Sequence, residues 1–406
     1  MRKLLLFFIS IAAFGMSLKE ATQTALQKSP LLVQAKLDEQ EAKLNKKAAR
    51  AKNFGQLFLN ASYTHYNIPR TLEPLVPPLT SPVVVSKDIT NAALSYRVTI
   101  FNGFADISEI KLSELGQKMS ALKKRLTAAQ LLYNVKSLYF SALELKVRSQ
   151  AMRSYIEALK ELARKTELEV ELGKKAKLDL LRVQNELEGA KAKLTTLQTQ
   201  LATLKAALAA TIGIDAIDEI QDAKESLQEQ KEQLALKIAR LNIDKSHKSY
   251  TKTKARYYPK LELIGSYAKN YAQSTEAELW QGGVSLSYTL FDFGLRSAQT
   301  QKAKLQELKA KSQLLQTKLS HQANLTKAKE QIKDAKAAIT HLTTQLQLRR
   351  QIAYAEKIRY ETGASDMSDY LKALAALHQA RADLKAGYYK LYKAYAYYNF
   401  IQRSGS

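Results

Sequence analysis

The stretch LSYRVTIF (residues 94–101) decides the fold, because apolar and polar side chains alternate along it. Leu94, Tyr96 and Val98 fall on one face, and the residues between them fall on the other. A period of two is typical of a β-strand with two unlike faces. After the tripeptide NGF (102–104), residues 105–172 contain no Pro. At 1.5 Å per residue they predict one helix of about 100 Å.

Three further stretches alternate in the same way, at 57–64, at 284–291 and, more weakly, at 261–268, where Glu262 and Ser266 fall on the polar side. They predict strands over 56–66, 92–102, 260–270 and 282–292, each about as long as a tilted transmembrane strand. A half-buried soluble sheet would give the same pattern. Aromatic side chains at the strand ends and the lack of helices free to cover the sheet favour a membrane barrel. Four strands cannot close a barrel, so the chain must self-associate.

Composition excludes several classes of protein. The chain has 406 residues and no Cys, which excludes disulfides, zinc–thiolate sites and a Cys-linked lipid anchor. Its formal net charge is +25. No nucleic-acid motif accompanies this charge, so we predict no nucleic-acid partner. The His residues have no metal-ligand spacing, and we predict no catalytic residues, no metal and no cofactor.

The N-terminus resembles an export signal. Arg2 and Lys3 precede an apolar run over 4–13, which is too short to span a bilayer as a helix. We interpret residues 1–17 as a signal peptide. Ala13 and Gly15 suit cleavage after Gly15, and Gly15 with Ser17 offers a second option.

The chain is a duplicated unit. Gly173, Asp179 and Leu181 recur as Gly363, Asp369 and Leu371, at a constant offset of 190 in residue number. The predicted layout is repeat 1 over 18–212, a linker over 213–222, repeat 2 over 223–402 and a tail over 403–406. Helices are predicted over 18–54, 105–172, 176–212, 223–256, 295–361 and 366–402. Their narrow apolar seams are typical of helices packed on partner helices.

Several motifs are similar to those of the TolC-type outer-membrane efflux proteins. They include FNGF (101–104), YTLFDFG (288–294) and RYETGASDMSDYL (359–371), in an order that covers the whole chain. The resemblance implies a homotrimer in the outer membrane of a Gram-negative bacterium, with a twelve-stranded barrel and a twelve-helix periplasmic tunnel. It implies a periplasmic adaptor and an inner-membrane transporter, of the resistance-nodulation-division (RND) or ABC type, as partners. The alternative is a soluble periplasmic coiled-coil adaptor.

The resemblance also implies a gate at the tunnel's periplasmic end, where Gly173 and Gly363 mark the interhelical turns. Asp179 and Asp369 would form carboxylate rings around a threefold axis. The alternative is that both stabilise a helix N-terminus. Arg182 and Lys372 stand where well-known relatives carry acids, which implies a mixed or electropositive constriction if both side chains point inward.

Tyr360 matches a family tyrosine that could hydrogen-bond Asp179, although packing in the helix seam is an alternative. Residues 67–91 and 271–281 would be external loops. Polar strand positions would line the barrel lumen: Ser95, Arg97, Thr99, Ser285, Ser287 and Thr289.

Overall fold

The structure is a computed structural model that describes residues 15–78, 82–228, 232–273 and 275–405. Most of the predicted signal peptide, residues 1–14, lies outside the described residues. The described chain forms two compact units. One is built from residues 37–122 and 237–316, and the other from the remaining segments.

The first unit holds a four-stranded antiparallel sheet in the order β1-β2-β3-β4. Its strands are β1 (Gln56–Thr71), β2 (Val85–Phe101), β3 (Lys260–Ala272) and β4 (Thr275–Ser287). Each strand pairs with the next along the chain, so β1 and β4 each have a partner on one side. The strands are longer than the sequence pattern predicts, and they shorten both predicted external loops.

The fourth strand lies earlier in the chain than predicted. We expected it over 282–292, but it pairs with β3 from Ala272↔Thr275 to Lys260↔Ser287. Pro259 precedes β3 and has no N–H to continue the ladder. Thr289, a predicted lumen residue, therefore lies beyond the end of β4.

The sheet has one apolar face that the described residues leave uncovered. The pairs Leu57↔Tyr96, Leu94↔Tyr267 and Tyr267↔Trp280 stack across it in register. Leu59 is 77% exposed and Trp280 82% exposed. A contiguous exposed apolar surface of this kind indicates contact with a partner or a membrane.

Over the described residues, seven α-helices complete the fold. They are α1 (Leu18–Lys28), α2 (Pro30–Ala51), α3 (Ala105–Glu171), α4 (Lys177–Ile212), α5 (Leu234–Lys254), α6 (Leu295–Glu361) and α7 (Met367–Ser404). The equivalent helices α3 and α6 each have 67 residues, in line with the internal repeat. Across the part of the chain that the structure describes, no α-helix combines the length and the apolar character needed to cross a bilayer.

Two predicted helices differ from the observed ones. The helix expected over 18–54 is interrupted at Ser29, because Pro30 has no N–H to donate and starts a new helix instead. The helix expected from residue 223 begins at Leu234.

The described residues between α4 and α5 form no helix or strand, and distant side chains bind them. We call residues 213–228 the strap. The Tyr139 hydroxyl donates to Gln221 O at 2.7 Å, and Lys146 Nζ donates to Ile220 O at 2.7 Å. Tyr389 donates its hydroxyl to Asp222 at 2.9 Å.

The second unit has a core around the strap, with α1, α3, α4 and α7 contributing. Tyr139, Phe140 and Leu208 are fully buried there. Burying such large side chains stabilises the fold by about 1.5–3 kcal/mol each.

Candidate functional site

The two interhelical turns share one backbone geometry. Gly173 has φ +71° and Gly363 has φ +77°, a region that glycine adopts without steric cost. In the first turn Lys174 N–H donates to Glu169 O at 2.8 Å, and in the second Ala364 N–H donates to Arg359 O at 2.7 Å. Both helices therefore end in a Schellman motif.

Asp179 and Asp369 each lie in the first turn of the following helix. This position suits a carboxylate, because the helix N-terminus carries a partial positive charge. The second helix has an additional cap: Asp366 accepts a hydrogen bond from Asp369 N–H at 3.1 Å. The equivalent residue in the first turn is Ala176, which forms no side-chain cap.

Arg182 and Lys372, which stand where well-known relatives carry acidic residues, have different surroundings. Arg182 lies between two carboxylates, with Nη1 3.8 Å from Asp179 and 3.7 Å from Asp366. Lys372 is 75% exposed and pairs with Asp369 at 3.4 Å. Arg182 thus links the first helical hairpin, formed by α3 and α4, to the second, formed by α6 and α7. The Lys372 side chain is instead largely exposed in the single chain.

Tyr360 is buried in a small apolar core that we call the tip cluster. Its members join both hairpins: Tyr155, Ile156, Leu159, Val183, Ala190, Tyr360, Met367 and Leu371. Tyr360 is 4% exposed, and its ring stacks on Tyr370 with centroids 5.8 Å apart. Among the described residues its hydroxyl has no hydrogen-bond partner. In one chain, Tyr360 is therefore packed in the helix seam.

A lysine of the first turn covers this tyrosine. Lys175 Nζ lies 4.1 Å from the centroid of the Tyr360 ring and donates to Tyr360 O at 3.3 Å. A cation over an aromatic face is attracted by the ring quadrupole. Burial raises the pKa of Tyr360 to about 12, and the nearby carboxylates of Asp179 and Glu169 add to this effect. The hydroxyl therefore remains neutral at physiological pH.

The polar face of the sheet brings together most of the predicted lumen residues. Ser95 lies opposite Ser266. Thr99 and Ser285 lie on either side of Glu262. Arg97 and Ser287 share this face by strand alternation. The result is a polar strip that includes one carboxylate.

Sequence reasoning missed several residues of these sites. The N-cap role of Asp366 has a local signal in the sequence. An Asp with a second acidic residue three positions later, here Asp369, is typical of a helix start. Lys175 acts through a contact with Tyr360, far away in the sequence, which no local pattern identifies. Among the described residues, no group of three or more His, Asp and Glu side chains could hold a metal ion.

Comparisons with known proteins give one family and one fold. The family model for outer membrane efflux proteins matches residues 21–214 and 226–396. The structure is similar to that of the outer membrane protein VceC from Vibrio cholerae, at 16% identity over 95% of this chain and 96% of that chain, with a TM-score of 0.80.

Two further solved structures are similar. For the CmeC outer membrane channel of Campylobacter jejuni, identity is 15% over 96% of this chain and 86% of that chain, with a TM-score of 0.82. For the open state of the MtrE outer membrane channel of Neisseria gonorrhoeae, identity is 16% over 96% of this chain and 89% of that chain, with a TM-score of 0.78. A comparison with curated proteins found no significant match.

Proposed function

The chain belongs to the outer membrane efflux protein family, and from this premise we propose that it works as a homotrimer. The protein is an outer-membrane exit duct of an efflux system, and it is a passive channel, not an enzyme. The predicted resemblance and fold class are confirmed, and the soluble adaptor alternative has no support.

The trimer is supported by the open sheet. A lipid bilayer does not tolerate unpaired strand edges, because their N–H and C=O groups would have no hydrogen-bond partner. The edges β1 and β4 must therefore pair with other chains. Two copies would give eight strands, whose interior side chains fill. Three copies give twelve strands and leave room for a passage.

Unpartnered apolar side chains on α6 support the same assembly in the helical part. Leu305, Leu308, Leu315 and Leu319 recur at spacings of three, seven and four residues, and all are exposed. This is the spacing of a coiled-coil seam, so we assign these positions to contact with helices of a neighbouring copy. Three copies would supply the twelve helices of the tunnel.

We assign the constriction to the ends of the helical hairpins. Asp179, Arg182, Asp369 and Lys372 would surround the threefold axis, with Tyr360 behind them. Rings of charged side chains bias which ions pass a pore. Because each acid here has a cation within 4 Å, the proposed constriction is mixed in charge.

Members of this family work with a periplasmic adaptor and an inner-membrane transporter. We propose that the adaptor docks at the tip of the hairpins and that the transporter is of the RND or ABC type. Outer-membrane lipid would cover the apolar face of the sheet, where Trp280 and Tyr267 are suited to the interface between lipid and water. The polar strip with Ser95 and Glu262 would line the lumen.

Cysteine cross-linking in cells tests the assembly, because the native chain contains no Cys. One variant carries Asn60→Cys in β1 and Gly283→Cys in β4, both on the polar face. A flexible bis-maleimide should link β4 of one copy to β1 of the next and give a ladder that stops at three chains. A ladder that stops at two, or continues beyond three, would contradict the trimer.

The matched control places both thiols within one chain. Ser95→Cys and Ser266→Cys lie on neighbouring strands and face each other in register. This variant should give cross-links within a monomer. If the control also gave covalent dimers or trimers, the cross-links of the edge variant could arise from random collisions between chains and would not demonstrate a defined assembly.

A further inference from the structure

Residues 16 and 17, the last two residues of the predicted signal peptide, are built into the fold. Met16 N–H donates to Glu219 O at 2.8 Å, and Gln221 N–H donates to Met16 O at 3.1 Å. Met16 thereby forms a parallel bridge with Ile220 of the strap. The buried Tyr139 hydroxyl lies 2.8 Å from Met16 O.

Ser17 starts the first helix. Its side chain accepts a hydrogen bond from Glu20 N–H at 3.2 Å, and Ser17 N–H donates to the Glu20 carboxylate at 2.8 Å. These two bonds form a capping box, which satisfies two backbone donors at the helix N-terminus. Cleavage after Ser17 would remove both the cap and the bridge with the strap.

We propose that the signal peptide is removed at the peptide bond between Gly15 and Met16, and that the new N-terminus is a structural part of the mature protein. A signal peptidase would hydrolyse this bond with one water molecule. The bond between Gly15 C and Met16 N breaks, Gly15 leaves with a carboxylate, and Met16 keeps an ammonium group. The sequence agrees, because Gly15 and Ala13 supply the small residues that the peptidase requires.

The site around Met16 N accepts this ammonium. Its present N–H already donates to a carbonyl, so a charged donor would strengthen the same hydrogen bond. The Glu219 carboxylate, which pairs with Lys146 at 3.8 Å, is 70% exposed and adds negative charge nearby. The mature N-terminus would thus join α1 to the strap.

Mass spectrometry and N-terminal sequencing of the full chain, purified from whole cells and not from one cell fraction, test this proposal. We expect a mature chain that begins at Met16. A chain that begins at Leu18, or one that retains residues 1–15, would overturn it. Because these readouts need neither a trimer nor an open channel, failure of the proposed function would not affect them.

Two variants distinguish cleavage after Gly15 from cleavage after Ser17. Gly15→Lys should block processing and leave the precursor. Ser17→Asp keeps a good N-cap residue but removes the small residue needed for cleavage after position 17. It should still begin at Met16. If Ser17→Asp accumulates precursor, or if Gly15→Lys matures normally, the assignment is wrong.

A deletion tests the structural role. A chain lacking residues 16 and 17 retains Ala13 and Gly15 before Leu18, so it should be processed to begin at Leu18. Loss of the bonds to Met16 should make hydrogen exchange at the Gln221 amide about tenfold faster. Unchanged exchange at Gln221 in this mature chain would overturn the structural part of the proposal.

Discussion

The two turns at the ends of the hairpins have the same backbone but opposite charge. Lys174, Lys175 and Lys177 follow the glycine of the first turn, whereas Asp366 follows the glycine of the second. Both turns form the same Schellman bonds, and both are followed by an aspartate in the first turn of the next helix. The duplicated unit has thus retained its backbone while its charges have diverged.

The divergence makes the two hairpins complementary. Lys175 reaches across to the ring and carbonyl of Tyr360, and Arg182 reaches Asp366. Lys165 pairs with Glu361 at 3.2 Å. The cations of one hairpin therefore bind the carboxylates and aromatic ring of the other. In a trimer, basic and acidic turns would alternate around the tip.

The largest expected effect comes from the glycines that the turns share. Gly173→Val and Gly363→Val should each destabilise their turn by about 1–2 kcal/mol, because a left-handed conformation crowds any Cβ. Apart from the two neighbouring residues in the chain, no described atom lies within 4 Å of either added Cβ, so the two costs should be equal. Hydrogen exchange at the Lys174 and Ala364 amides measures them.

Gly189→Ala is the control for the glycine variants, since it lies inside α4 and its added Cβ is also unobstructed. It should leave the turns unchanged and stabilise the helix by roughly 0.5–1 kcal/mol. Unequal effects of the two Val substitutions would show that the turns are not equivalent.

A smaller effect should come from the cap that distinguishes the turns. Asp366→Ala should cost about 1 kcal/mol at the start of α7, and Ala176→Asp should stabilise the start of α4 by a similar amount. Ala176 already has the extended backbone of an N-cap, with φ −76° and ψ 142°. Amide exchange at Asp369 and Asp179 reports each change.

Asp366→Asn separates the cap from the charge, because Asn caps as well as Asp but forms no ion pair with Arg182. It should retain most of the cap stability. If Asn is as damaging as Ala, the contribution of Asp366 lies in its charge.

Tyr360 tests whether the hairpin ends close the channel. Tyr360→Phe and Asp179→Ala should each raise the single-channel conductance in planar bilayers if they hold the tip together between copies. Within the described part of one chain, no hydrogen bond is formed by the Tyr360 hydroxyl, so the Phe variant should fold normally. Unchanged conductance in both variants would remove Tyr360 and Asp179 from the gate.

The raised pKa of Tyr360 gives the same test a pH dependence. A neutral tyrosine has a usual pKa near 10, and burial raises it to about 12 here. The stability that depends on the neutral hydroxyl is complete below pH 10 and is lost as the pH rises to 12. Conductance of the native channel should rise across this window more than that of Tyr360→Phe.

The smallest effect concerns Lys372. Its ion pair with Asp369 is exposed, and such pairs contribute about 0–1 kcal/mol. Lys372→Asp should leave the fold intact and lower the concentration of divalent cations that blocks half of the current. Lys372→Gln, which removes the cation without adding a carboxylate, should have a weaker effect. No change in block with Lys372→Asp would place this side chain away from the pore.

Local patterns predicted much of the fold. Alternation identified four strands because each has one apolar and one polar face, and the repeat identified both turns because glycine is required at positive φ. The patterns failed where distant groups decide the structure. The strap contains residues that suit a helix, but Tyr139, Lys146 and Tyr389 bind it in a non-helical form. β4 ends at Ser287 because Ser287 pairs with Lys260, the first residue of β3. β3 begins there because Pro259, which precedes it, has no N–H to donate.

The candidate site was predictable in outline only. Asp179, Tyr360 and Asp369 stand out through the repeat and the family resemblance. The contact between Lys175 and Tyr360 joins residues 185 positions apart, so no pattern in the neighbourhood of either residue predicts it. The same holds for Arg182 and Asp366.

Native mass spectrometry of the detergent-solubilised outer-membrane protein is the most direct test of the assembly on which the duct depends. The four-stranded sheet with two open edges predicts particles of three identical chains. Particles of one chain that remain dispersed without bound detergent would contradict the account.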